Sequence, residues 1–138
     1  MTVEENKAIA RRIFEEVWNQ GKLDVIDEIF DVNYVSHGFG ELPPGPEGFK
    51  QFVSIYRTAF PDTHFIIEDQ IAEGDKVVTR WIVRATHKGE LMGIPPTGKQ
   101  VVVTGTGIFR ISGGKVVEQW VNWDALGMMQ QLGLVPPE

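Results

Sequence analysis

Cysteine is missing from this 138-residue sequence altogether. Its absence excludes disulfides, thiolate nucleophiles and cysteine-ligated zinc, without by itself assigning a compartment. Basic residues are also in deficit: 13 Lys and Arg against 19 Asp and Glu leave a net charge of −6 and a pI near 5.1. That balance is wrong for a surface that grips nucleic acid. No apolar run approaches the roughly 18 residues of a membrane span, and the start, Met1-Thr-Val-Glu-Glu, is acidic where a signal peptide is basic. The expectation is a cytoplasmic protein with neither membrane nor nucleic acid as partner.

Several catalytic kits are incomplete as well. The histidines His37, His64 and His87 are far apart, with no H-x-H or H-x-x-x-H pair, so no metal site is expected. No serine stands in a nucleophile-elbow motif, and no glycine-rich turn links a strand to a helix. The run Gly93-Ile-Pro-Pro-Thr-Gly-Lys99-Gln100 approaches a phosphate-binding loop but fails on three counts. Gln100 replaces the magnesium-binding hydroxyl, two prolines remove amide donors, and a strand pattern follows instead of a helix. A proline-stiffened loop at a cavity mouth is the better expectation. Proton transfer without a cofactor, or binding alone, is what remains.

The chain has the means for one packed domain over residues 1–138, being 42% hydrophobic. Thr2 and Glu5 fit a capping box, and Ile9, Ile13, Phe14, Val17 and Trp18 recur at helical spacing, predicting a helix over about 3–19. Leu23, Ile26, Ile29 and Phe30 mark a shorter one. Pro46 opens a third amphipathic stretch that carries Phe49, Phe52, Val53, Tyr56 and Phe60, and Pro61 stops it. From there the period changes to two, over Phe65–Ile71, Lys76–His87, Lys99–Ile111 and Lys115–Asp124, with hairpin turns at Gly74-Asp75 and Gly113-Gly114. Helices followed by an antiparallel meander predict an α+β domain.

Alternation predicts which faces point inward. On the second strand the set Val77, Thr79, Trp81, Val83, Ala85 and His87 is the inner one, and on the third it is Val101, Val103, Gly105, Gly107, Phe109 and Ile111. Continuing from a two-residue Gly113-Gly114 turn, regular pairing sets Gly107 opposite Trp120 and Gly105 opposite Asn122. Trp120, Asn122 and Asp124 would then face inward, with Val117, Gln119, Val121 and Trp123 outward. The two strand glycines imply either a cavity or strong sheet curvature. The mixed outer face could pack on a second subunit.

Asp124 is the leading chemical candidate. A carboxylate among tryptophans, where a strand gives way to a short helix, is desolvated toward a neutral-range pKa and can take and return protons. Its other role is as N-cap of the helix Ala125–Leu132, which would have the opposite effect. His37, in Tyr34-Val-Ser-His37-Gly, sits where a loop could fold over the sheet as acid/base partner, or could simply be a solvated loop residue. His87 could line the pocket rim, with or without a role. Trp81, Trp120 and Tyr34 would supply apolar walls or plain core, and Asn122 a donor for a developing oxyanion.

The run Thr86-His87-Lys-Gly89-Glu-Leu-Met-Gly93-Ile-Pro-Pro-Thr-Gly98-Lys-Gln, then Ile108-Phe-Arg-Ile and Gly114-Lys-Val-Val-Glu-Gln-Trp120-Val-Asn-Trp123-Asp124-Ala-Leu-Gly, resembles the SnoaL-like polyketide cyclase (ester cyclase) family. Val17-Trp-Asn-Gln-Gly21 and Tyr34-Val-Ser-His37 are similar too. The resemblance implies the NTF2-like fold, a cone-shaped curved sheet with helices across its open side, dimeric through the outer sheet face. It also implies intramolecular aldol closure of a polyketide ester without metal or cofactor, an aspartate serving as acid/base. Asp124 is the match for that aspartate, with His37 or His87 as its partner. A ligand-binding module for small hydrophobic molecules, or a hydrolase, dehydratase or isomerase, would use the same fold.

Overall fold

The computed structural model describes residues 2–39 and 42–135. Helix α1, Val3–Arg12, begins at the expected capping box: Thr2 accepts from the Glu5 amide while the Glu5 carboxylate accepts from the Thr2 amide. It runs on as a π-helical stretch, Ile13–Trp18, in which the wider turn buries Ile13, Phe14, Val17 and Trp18 together. Asn19 ends it and clamps the sheet edge, its carboxamide donating to Phe65 O at 3.0 Å and accepting from Phe65 N at 2.6 Å. Helix α2, Asp24–Ile29, leads directly into strand β1, Phe30–His37; α3 follows as Pro46–Ala59 with Pro46 in its first turn. Strands β2 (His64–Glu73), β3 (Lys76–Thr86), β4 (Gln100–Ser112) and β5 (Lys115–Trp123) precede the short helix α4, Ala125–Gln131.

The five strands form one sheet in the order β1-β5-β4-β3-β2. β2 to β5 are the expected antiparallel meander. The Gly113-Gly114 turn has both φ angles positive, 58° and 78°, as a tight hairpin between right-twisted strands requires. β1 was not expected as a strand. It pairs parallel to β5, with an irregularity between Phe30 and Val35, and its burial does not alternate, so it carries no period-two signature. The α+β class, the helices on one sheet face and the short C-terminal helix all stand as expected. None of the described helices is long and apolar enough to cross a membrane.

The expected inner faces of β3 and β4 are observed: Val77, Trp81, Val83, Val101, Val103 and Phe109 are buried. β5 differs. Ile111 pairs with Val116 as expected, but Arg110 then pairs with Glu118, leaving Val117 as an unpaired bulge residue. Beyond it every side chain changes face. Gly107 therefore pairs with Val121 and Gly105 with Trp123. Gln119, Val121 and Trp123 turn inward, and Trp120 and Asn122 turn outward, correcting the expectation for both.

Gly105 is the glycine that makes room for aromatic rings. It pairs with Trp81 on one side and Trp123 on the other, and a Cβ there would lie 2.1 Å from Trp81 Cζ2. A Cβ at Gly107 would meet Phe109 at an ordinary 3.4 Å.

Candidate functional site

Between the inner sheet face and the helices lies an apolar cavity that leaves about 80 Å3 for water-sized occupants, below the usual range of small-molecule sites, and about 720 Å3 when open solvent at its mouth is counted. Much of the space belongs to the mouth; deeper in, ring stands against ring. The floor is Trp81, Val83 and Ala85 of β3 with Val101 and Val103 of β4. β5 adds Gln119, Val121 and Trp123, and the helical side adds Phe14, Trp18, Phe52 and Tyr56. Phe65 packs on Trp81 at a centroid distance of 5.0 Å, and Tyr56 meets Trp123 edge-on at 6.0 Å.

Trp81 lines the cavity as expected. Tyr34 lies one layer behind the cavity wall, against Phe30 and Phe49, and its hydroxyl donates to Gln119 Oε1 at 2.7 Å. Burial raises the Tyr34 phenol far above its ordinary range, so it stays a neutral donor. Burial raises Tyr56 too.

The remaining sequence candidates lie elsewhere. Asp124 is exposed and does not line the cavity: the chain leaves β5 at Trp123, and Asp124 turns out to start α4. It acts as N-cap, Oδ1 accepting from Gly127 N at 2.8 Å. The capping geometry is what is observed, in place of the expected desolvated position.

His37 ends β1 on the opposite sheet face, stacked on Trp120 at 5.4 Å and 2.8 Å from Glu118 Oε2. That correction also covers the loop expected over the sheet, because residues 30–37 are strand. The hydrogen bond to His37, with help from Arg110, holds the Glu118 carboxyl below the usual range. Trp120 belongs to this outer cluster, and Asn122 is exposed there.

His87 is not at a rim. It is fully buried beyond the cavity end, with Phe60 across its ring at 5.3 Å and Thr97 N donating to Nδ1 at 3.2 Å. Its Nε2 has no partner among the described residues. Likewise, none of residues 88–99 lines the cavity. The amides of Lys88 and Gly89 bond Ala59 O, so the proline-containing loop is tied to the end of α3 and not set at the mouth.

Sequence reasoning missed Gln119, Val121 and Trp123. A signal was present: Val116-Val117 followed by Glu118-Gln119 interrupts strict alternation, as a bulge does. Among the described residues, no cluster of three His, Cys, Asp or Glu is placed to hold a metal. The cavity wall carries neither carboxylate nor imidazole, so its own side chains can grip a flat apolar molecule and polarise a carbonyl, while a proton acceptor must come from the rim or the ligand.

The family model for SnoaL-like polyketide cyclases matches residues 8–132. The chain is 31% identical over 129 residues to aklanonic acid methyl ester cyclase of Streptomyces peucetius, covering 91% of this chain and 88% of that protein. It is 30% identical over 122 residues to nogalonic acid methyl ester cyclase of Streptomyces nogalater, covering 84% and 89%. Among solved structures, TsrD from Streptomyces laurentii superposes with a TM-score of 0.89 at 24% identity, over 98% of this chain and 99% of that one, a likeness of fold. IdmH from Streptomyces antibioticus superposes at 0.79 with 32% identity, over 93% and 98%.

Proposed function

The chain belongs to the SnoaL-like polyketide cyclase family, and from that premise we propose that it takes a planar, polyketide-like carbonyl compound into the cavity and closes a ring on it by acid/base proton transfer. The observation that carries the reading is the cavity wall itself: indole, phenyl and aliphatic groups on three sides, with Gln119, Tyr56 and Thr63 as its polar residues. In the aldol form of this chemistry, a base removes the proton alpha to a carbonyl, the enolate carbon attacks a second carbonyl carbon, and the alkoxide takes a proton back. No electrons are gained or lost overall, so no redox cofactor is required.

Asp124 is the proposed proton acceptor. It stands between two cavity residues of the chain, Trp123 and Met128, and its Oδ2 takes no protein hydrogen bond among the described residues. Its exposure leaves desolvation to the bound substrate, since catalytic geometry often tightens only in the complex. His37 has no part in this proposal, because the sheet separates it from the cavity.

A second reading, carriage of a hydrophobic molecule without turnover, is favoured by the lack of any carboxylate or imidazole in the cavity wall. A thermal-shift screen of anthraquinone-like and polyketide-like esters, followed by turnover assays on each binder, separates the two. Wild type, Asp124→Asn and Gly127→Ala should all bind. Only wild type should turn over, because a Cβ at Gly127 would lie 2.1 Å from Asp124 Oδ2 and push the carboxylate aside. Binding with no turnover in any of the three establishes carriage for those ligands, and turnover surviving in Asp124→Asn removes the role from Asp124.

The outer sheet face is the proposed homodimer surface. Ile66 and Val102 are exposed there, near the half-buried Ile82, Ile108 and Trp120. Sedimentation at micromolar concentration should show a dimer, and a stable monomer would overturn this.

A further inference from the structure

We propose that Gln119 reads a carbonyl oxygen of the ligand, its carboxamide N–H donating from the cavity wall while Tyr34 holds the other end of the amide. The inference rests on the cavity being the ligand site, as proposed above. It adds what the ligand must offer at one place: an uncharged acceptor, or the enolate oxygen that such a carbonyl becomes.

The geometry comes from two neighbouring strands, β5 and β1, with Phe49 of α3 packed behind them. The β5 bulge at Val117 turns Gln119 inward, and β1 lies parallel alongside, with Ser36 opposite Gln119. Tyr34 of β1 is buried among Phe30 and Phe49 and cannot swing away, and its hydroxyl donates to Gln119 Oε1 at 2.7 Å. With Oε1 engaged, the amide is oriented and Nε2 is directed away from Tyr34.

That nitrogen is the unusual group. Gln119 as a whole is buried and lines the cavity, and its Nε2 donates to no protein atom among the described residues. The neighbouring cavity residues Val121, Trp123 and Val103 offer it no side-chain acceptor. A donor kept in such surroundings forms a stronger hydrogen bond than it would in water, and its neutrality suits a ketone or ester oxygen better than a cation. Tyr34 is a positioning residue that acts through Gln119, whereas Gln119 would touch the ligand.

Three probes of nearly one shape test this: fluorene, 9-fluorenone and 9-hydroxyfluorene, titrated by calorimetry against wild type and the double variant Tyr34→Phe/Gln119→Met. Removing both polar partners together leaves no orphan and keeps the packing. Wild type should bind fluorenone about tenfold more tightly than fluorene, the scale of one neutral hydrogen bond. The double variant should bind the two within about twofold while fluorene keeps its wild-type affinity, showing that the cavity survives.

Should that double variant fail to fold, Tyr34→Phe/Gln119→Leu likewise removes the donors without leaving a polar orphan and should abolish the preference in the same way. Equal binding of all three probes by wild type, a preference for the alcohol over the ketone, or a ketone preference that persists in the variants overturns the assignment to Gln119 and leaves the cavity reading standing. Failure of wild type to bind any of the three overturns the cavity reading, and this inference with it.

Discussion

Inserting one alanine after Val117 is expected to destabilise the protein severely, by on the order of 3 kcal/mol or more, or to abolish folding. Val117 is the extra residue between the pairs Ile111–Val116 and Arg110–Glu118. With a second extra residue, a one-residue bulge would set the inserted alanine opposite Arg110 and bring Glu118, Trp120 and Asn122 to the inner face. It would also carry Gln119, Val121 and Trp123 out to solvent. Burying Glu118 would break its pairing with Arg110 and His37, and exposing Gln119 would orphan the Tyr34 hydroxyl. Urea unfolding of the insertion beside deletion of Val117 checks this. The deletion places Glu118 directly after Val116, keeps every observed pair as a regular ladder and should cost far less, so equal losses from the two would show that register is set elsewhere.

Gly105→Ala is the second large effect. The added Cβ would lie 2.1 Å from Trp81 Cζ2 and 2.4 Å from Cη2. Trp81 cannot yield easily, being packed by Phe65 at 5.0 Å and Phe14 at 6.4 Å. Overpacking of this kind typically costs about 1–3 kcal/mol. Because Trp81 is also part of the cavity floor, binding of any aromatic probe should fall with stability. Gly107→Ala is the control two residues along the same strand face: its Cβ meets only ordinary contacts, so its melting temperature should stay close to wild type. Equal melting temperatures for the two variants would mean that Trp81 has an alternative position.

Both predictions concern how side chains of the sheet come to meet in the cavity, the first through the facing of β5 and the second through the space left at Gly105. Local cues were sufficient for much of the molecule. The Thr2–Glu5 capping box, Pro46 in the first turn of α3, the two hairpin turns and the inner faces of β3 and β4 are all relations between residues close in sequence. So are the motifs that carry the family resemblance. Trp81 was legible as a cavity residue for that reason.

What depended on partners far along the chain was not legible. β1 is a strand because β5 lies beside it, with His37 opposite Trp120, and nothing periodic in Phe30–His37 announces that. The candidate site followed β5. One unpaired valine exchanged Trp120 and Asn122 for Gln119, Val121 and Trp123, and the end of the strand turned Asp124 outward into a helix cap. The sequence by itself determined the elements other than β1, the α+β class and the family. Tertiary structure alone decided which side chains meet in the cavity, because register is a relation between two strands, and a period of two makes a shift of one residue change every face beyond it.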